Sequence, residues 1–171
     1  VDVTRLGPPP SRIVANLPYN VATPLLLRWL RQATAFESLT LMFQKEVADR
    51  LLARPRTKPY GRLSVITQWL CEVRPAFTVD RRAFTPPPKV TSSVVVLTPR
   101  LAPSAPASFK ALEAVTAAAF GQRRKMLRAS LRRLDVDLAG LGIDPAARAE
   151  ELEVEAFCAL ARALEEKVAR P

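Results

Sequence analysis

Residues 11–20, SRIVANLPYN, restrict the fold of this 171-residue chain more than any other stretch. Ile13, Val14 and Ala15 are a short apolar run of the kind that makes a buried strand. Asn16, Leu17, Pro18 and Tyr19 follow at once. Pro18 has no N–H to give to a ladder, so the strand must stop by there. An amide, a rigid ring and an aromatic face are thereby collected at the strand's carboxyl end. In an open α/β sheet, ligands bind just outside that end. Taken alone, the four residues fit an ordinary strand-to-turn transition equally well.

The rest of the chain supplies a sheet and a helical bundle. Thr23-Pro24 reads as a helix start, with Thr as cap and Pro at the first helical position. That helix runs to about Ala33, with Leu26, Leu27, Leu30 and Ala33 inward. A second strand is expected over 38–44. A helix over 45–53 turns Val47, Leu51 and Leu52 inward and pairs Glu46 with Arg50 one turn on. The loop 54–59 has three cations and two prolines; it either touches phosphate or is simply solvated. Leu63, Ile66, Trp69 and Leu70 have helical spacing within 61–71. Residues 72–79 and 90–97 read as strands, joined by the stiff loop 80–89 that carries Phe84.

Three prolines within 98–107 mark a linker and the expected domain boundary. Beyond it, Phe109, Leu112, Val115 and Ala119 form one helical stripe. After Gly121, a further helix is expected to bury Phe120, Leu127, Leu131 and Leu134. Arg124, Arg128 and Arg132 would then repeat along another face of it. Asp144-Pro145 reads as the start of a short helix. Residues 154–168 form the last one, with Phe157, Leu160, Ala161 and Leu164 inward. The expectation is an α/β block over 1–100 and a helical domain over 101–171.

Composition narrows the chemistry. The chain has no histidine, which removes a Ser-His triad, a histidine base and most zinc sites. Cys71 and Cys158 lie far apart in apolar contexts, as buried free thiols of a cytosolic protein do. No apolar run approaches the roughly 20 residues of a membrane span, and the start does not read as a signal peptide. The net charge is +10, and residues 121–134 hold six cations and no anion. Such an excess calls for a polyanionic partner, nucleic acid before a membrane surface.

Asn16 offers a side-chain carbonyl, and the Leu17 carbonyl is freed where the strand ends; two acceptors can hold an NH₂ group. Tyr19 offers a face for a flat ring. Phe84 is either a second such face or a plug under its own loop. A flat base with an exocyclic amine fits this set, because extruded bases are read by edge hydrogen bonds and stacking.

At this point the sequence resembles a family. NLPYN at 16–20, FQKEVADRL at 43–51, YGRLSV at 60–65, FTPPPKVTSSVV at 84–95, FGQRRKMLRASL at 120–131 and GIDPAARAEEL at 142–152 are similar, in that order, to the ribosomal RNA adenine dimethyltransferases of the KsgA type. The resemblance implies a doubly wound α/β methyltransferase sheet followed by a small all-α domain. It implies dimethylation, with S-adenosylmethionine as cofactor, of two adjacent adenines near the 3′ end of small-subunit ribosomal RNA. The substrate would be the immature small ribosomal subunit, in the cytoplasm. Asn16, Leu17, Pro18 and Tyr19 become the catalytic motif, and Asn16 a cofactor contact. Tyr19 and Phe84 become the stacking rings. Arg123, Arg124, Lys125, Arg128 and Arg132 become the RNA-binding set.

The chain departs from the family at its front. The Gly-rich loop and the acidic residues expected to bind the cofactor have no counterpart before Asn16. The expectation is therefore the carboxyl-terminal part of such an enzyme, inactive by itself and unable to bind S-adenosylmethionine. Its first strand would be left as an edge that is paired with a second copy, covered by a rearranged segment such as residues 1–10, or disordered. A non-catalytic RNA-binding or ribosome-assembly module is the alternative. A resistance methyltransferase acting on large-subunit RNA is disfavoured by the segment 120–131.

Overall fold

The computed structural model describes residues 8–169. The chain divides into two compact units. One holds the chain up to Leu52 together with Leu70–Ala102; the other holds Ala53–Trp69 and the chain from Pro103 onward. Residues 53–69 thus fall with the helices rather than on the sheet side of a boundary near 101. The reason is side-chain anchoring. Tyr60, Val65, Ile66 and Trp69 are buried, Tyr60 donates to the Leu152 carbonyl at 2.9 Å, and the Trp69 indole donates to the Ala105 carbonyl at 2.8 Å.

The first unit is a four-stranded mixed sheet in the order β1-β2-β4-β3. β1 is Ser11–Asn16, β2 Phe36–Gln44, β3 Cys71–Val79 and β4 Ser92–Pro99. β1 runs parallel to β2, with Asn16 opposite Met42. β4 runs antiparallel to β2, with Ser92 opposite Gln44. β3 runs antiparallel to β4, with Val79 opposite Ser92. Asn16, Gln44, Val79 and Ser92 therefore share one end of the sheet. β2 buries Phe36, Leu39, Leu41, Met42 and Phe43, the two-faced burial of a central strand. Pro75 and the bulge after it suit β3 to an edge, since proline donates nothing to a ladder.

β1 is the other edge. Its residues alternate half-buried and exposed, and Val14 is 82% exposed. The run at 13–15 is thus only half buried, because no described strand continues the sheet beyond β1.

Helix α1, Tyr19–Leu30, is capped by Pro18 and begins at Tyr19, well before the expected cap at Thr23 and first helical residue Pro24. The Pro18 carbonyl already accepts from the N–H groups of Val21 and Ala22, at 3.0 and 3.1 Å. Pro24 lies inside the helix and removes only the bond to the carbonyl of exposed Asn20. Helix α2, Lys45–Leu52, buries Ala48 and Leu51 and carries the Glu46–Arg50 pair.

The second unit contains α3 (Arg62–Leu70, of which residues to Trp69 belong here), α4 (Phe109–Gly121), α5 (Leu127–Ser130) and α6 (Val154–Ala169). Ser108 caps α4, accepting from the Ala111 N–H at 3.2 Å. Phe120 stacks on Phe157 with centroids 5.4 Å apart and meets Tyr60 edge-on at 6.1 Å.

The expected long helix after Gly121 is absent. Gln122 and Met126 leave the helical region, so α5 is only four residues long. Met126 instead bridges Arg148, and the Leu127 N–H bonds the Ala147 carbonyl at 2.8 Å. Arg124 and Arg132 therefore lie outside α5, and the expected face of Arg124, Arg128 and Arg132 on one helix does not form. Nor does Asp144-Pro145 open a helix. The Asp144 side chain closes a turn onto the Ala146 N–H at 2.8 Å, and a 3-10 turn follows only at Ala149–Glu151.

Candidate functional site

The end of the sheet that holds Asn16 also holds the loop between β3 and β4. Asn16 is the last residue of β1 and is exposed, and its side chain has no hydrogen-bond partner among the described residues. Pro18, at φ −55 and ψ 134, turns the chain from strand into helix. Tyr19 is thereby the first residue of α1. It is half-buried, and its hydroxyl shares a 2.6 Å hydrogen bond with Ser92 Oγ. Ser92 is fully buried and opens β4.

Phe84 is half-buried just beyond the 3-10 turn Arg81–Ala83. The Asp80 carboxylate starts that turn by accepting from the Arg82 N–H at 2.8 Å. At the other end of the loop, the Lys45 N–H bonds the Thr91 carbonyl at 2.9 Å. The loop thus opens on a local turn and closes on Lys45, at the sheet end that also holds Asn16. The rings of Tyr19 and Phe84 form no ring pair with each other among the described residues. Ser92 escaped the sequence reading. Its one signal was a serine at the head of a strand otherwise rich in valine.

This end can accept hydrogen bonds and stack a ring. Cys71 and Cys158 are buried free thiols. Burial pushes them up to about 12 and about 11 respectively, so both stay protonated at neutral pH. No cluster of metal-binding side chains occurs among the described residues.

The cations of the helical unit are arranged unequally. Arg123 is engaged within the protein: its Nε donates to Glu150 Oε2 at 2.9 Å, and a terminal nitrogen donates to the Lys58 carbonyl. Arg124, Lys125, Arg128 and Arg132 are exposed and form no ion pair among the described residues. Arg128 and Arg132 line a hollow of about 340 Å³ floored by Leu127, Leu131 and Leu138. Asp135, on its rim, is paired to Lys167, which holds its carboxyl below the usual range.

A four-stranded mixed α/β sheet followed by helices is a fold that this chain shares with solved methyltransferases. A dimethyladenosine transferase from Plasmodium falciparum matches with a TM-score of 0.80 at 25% identity, over 92% of this chain and 68% of that one. The 23S rRNA methyltransferase ErmE matches at 0.63 and 28%, over 93% and 67%. Within that class, the chain belongs to the ribosomal RNA adenine dimethylase family, whose model matches residues 9–166. Ribosomal RNA small subunit methyltransferase A of Paramagnetospirillum magneticum is 69% identical over 96% of this chain, and that of Rhodospirillum rubrum 68% over 96%. The chain spans about 60% of the length of these relatives.

Proposed function

We propose that, in the whole protein, this chain presents adenine for dimethylation of its exocyclic amine. The substrate is two adjacent adenines near the 3′ end of small-subunit ribosomal RNA, met on the immature subunit in the cytoplasm. The observation that carries this reading is the Asn16 amide, without a hydrogen-bond partner among the described residues and held at a strand end three residues before the anchored ring of Tyr19.

The amine of adenine is a poor nucleophile because its lone pair is delocalised into the ring. Hydrogen bonds from that amine to the Asn16 side chain and the Leu17 carbonyl favour the pyramidal form, in which the lone pair is localised. Tyr19 stacks on the base, with Phe84 on its other face, and Pro18 fixes the angle between acceptor and ring. Such positioning does most of the catalysis where no proton must first be removed, which suits a chain without histidine. S-adenosylmethionine supplies a methyl group on a cationic sulfur. The residues of this chain do not by themselves make its site. Before Asn16, the described residues offer no glycine-rich turn and no acidic strand end to hold an adenosyl group. We propose that the chain alone binds RNA and not the cofactor, with Arg124, Lys125, Arg128 and Arg132 meeting phosphate.

Asn16→Ala in the full-length enzyme tests the reading. Turnover is expected to fall about 10²-fold, the scale of one lost transition-state hydrogen bond, with RNA affinity nearly unchanged. Equal turnover in a methyl-transfer assay refutes the role.

A further inference from the structure

The loop 54–59 has an unusual division of labour between backbone and side chains. The Ala53 carbonyl accepts from Gln68 Nε2 at 2.8 Å. The Arg54 carbonyl accepts from Thr57 Oγ1 at 2.6 Å. The Arg56 N–H donates to the Glu150 carbonyl at 2.7 Å, the Lys58 carbonyl accepts from Arg123, and Tyr60 is anchored on Leu152. Arg56 is held at φ 67, a region that favours glycine. Strain of this kind persists only where surrounding bonds enforce it, and it gathers at functional sites. Meanwhile the side chains of Arg54, Arg56 and Lys58 are exposed and form no ion pair among the described residues. The main chain is fixed to the protein and the charges are left to solvent.

The same few residues hold the turn that carries Arg124 and Lys125. Arg123 pairs with Glu150, Met126 bridges Arg148, and Leu127 bonds Ala147. Residues 147–150 are thus a common backing for two cationic segments some 65 positions apart in sequence. Two acids at this backing are occupied. Glu150 pairs with Arg123, and the Glu151 carboxylate accepts from the Arg148 N–H at 2.7 Å.

We infer that the loop 54–59 and the turn 122–125 form one phosphate-binding surface for folded RNA, with Arg123 as the positioning residue that joins them. The inference rests on the RNA-binding reading above and extends it to residues outside the 120–131 segment. The partner is a structured backbone rather than splayed bases. Tyr60 is buried, and Phe120 packs on Tyr60 and Phe157, so the surface has no aromatic platform on which single-stranded bases would stack. Fixed cations without such rings suit the phosphates of a duplex.

The test is binding of a labelled RNA stem-loop to this chain, followed by fluorescence anisotropy across a salt series. The variant Arg54→Gln/Arg56→Gln/Lys58→Gln touches no core residue and should lower the log–log salt slope by about two to three units. Arg124→Gln/Lys125→Gln should lower it by about one to two units. Glu150→Gln discriminates positioning from charge. Removing an anion should strengthen binding if charge alone matters. Releasing the clamp should instead weaken it by about three- to tenfold, because the cations lose preorganisation. Stronger binding by Glu150→Gln overturns the positioning role, and an unchanged slope in the loop variant overturns the composite surface. If the wild-type chain fails to bind RNA at low salt, the RNA-binding reading itself falls. Tighter binding to phosphatidylserine vesicles than to the stem-loop overturns the choice of partner.

Discussion

Tyr60→Phe isolates one hydrogen bond in the core of the helical unit. The ring is fully buried, and its contact with Phe120 survives the substitution. Only the hydroxyl is lost, and with it the 2.9 Å bond to the Leu152 carbonyl. A buried carbonyl left without its donor costs about 1–3 kcal/mol. For a unit of fewer than a hundred residues, each kcal/mol moves the midpoint by about 4–8 °C. A loss near 1.5 kcal/mol therefore lowers Tm by roughly 6–12 °C. The phenol stays a donor well into alkaline pH, because burial, and after it the charges of Glu153 and Glu155, push its titration upward. The difference between wild type and variant should therefore be the same at neutral and at mildly alkaline pH. Circular dichroism melts in both buffers measure it. A variant that melts within about 1 °C of wild type, a shift too small for one buried hydrogen bond, would refute the claim that this bond holds residues 53–69 to the helices.

Three further outcomes follow from the geometry. Tyr19→Phe and Ser92→Ala each break the same 2.6 Å bond, so the double variant should lose no more stability than either single one, about 1 kcal/mol; additive losses in urea titrations count against the shared bond. The Cys71 thiol, pushed up from 9.0 to about 12 by burial, keeps its proton in the folded state. Its contribution to stability is whole below pH 9 and declines as pH rises toward 12. The urea midpoint should fall over that range, and thiol reagents should label Cys71 at pH 8 only after unfolding; labelling of the native chain at the rate of a free thiol contradicts this. The open edge of β1, with Val14 exposed, should make the isolated chain self-associate, and a strictly monomeric sedimentation profile at high concentration would refute it.

Periodicity made much of the fold legible. The strands around 36–44, 71–79 and 92–99 and the helices at 62–70 and 154–169 follow from local pattern, within a few residues of their ends. Local pattern misled at two places. Thr23-Pro24 looks like a helix start, yet Pro18 had already nucleated the helix. Leu127 and Leu131 keep helical spacing although the backbone before them pairs with residues 147–148, a choice made by distant chain. The site divides in the same way. NLPY and the Pro-rich loop are visible as motifs, whereas Ser92 acquires meaning only from a tyrosine 73 positions away. Arg123 reads as one cation among six, and only its two bonds to Glu150 and Lys58 set it apart.

The assignment of residues 53–69 to the helical unit also has a consequence for biosynthesis. The chain emerges from the ribosome in order, and the sheet has all four strands once β4 is made. Helix α3 is made before that, yet its apolar face waits for neighbours from beyond Pro103. Helix α6 begins 85 residues after Trp69, which at cellular rates is about 4–17 s of elongation. Until Ala105 and Phe109 are made, early in that interval, Trp69 lacks the partners it later has in its own unit. A nascent chain of this design carries a sticky segment in its middle while its outer parts complete, and it is at that stage, rather than in the finished fold, that a chaperone would find most to hold.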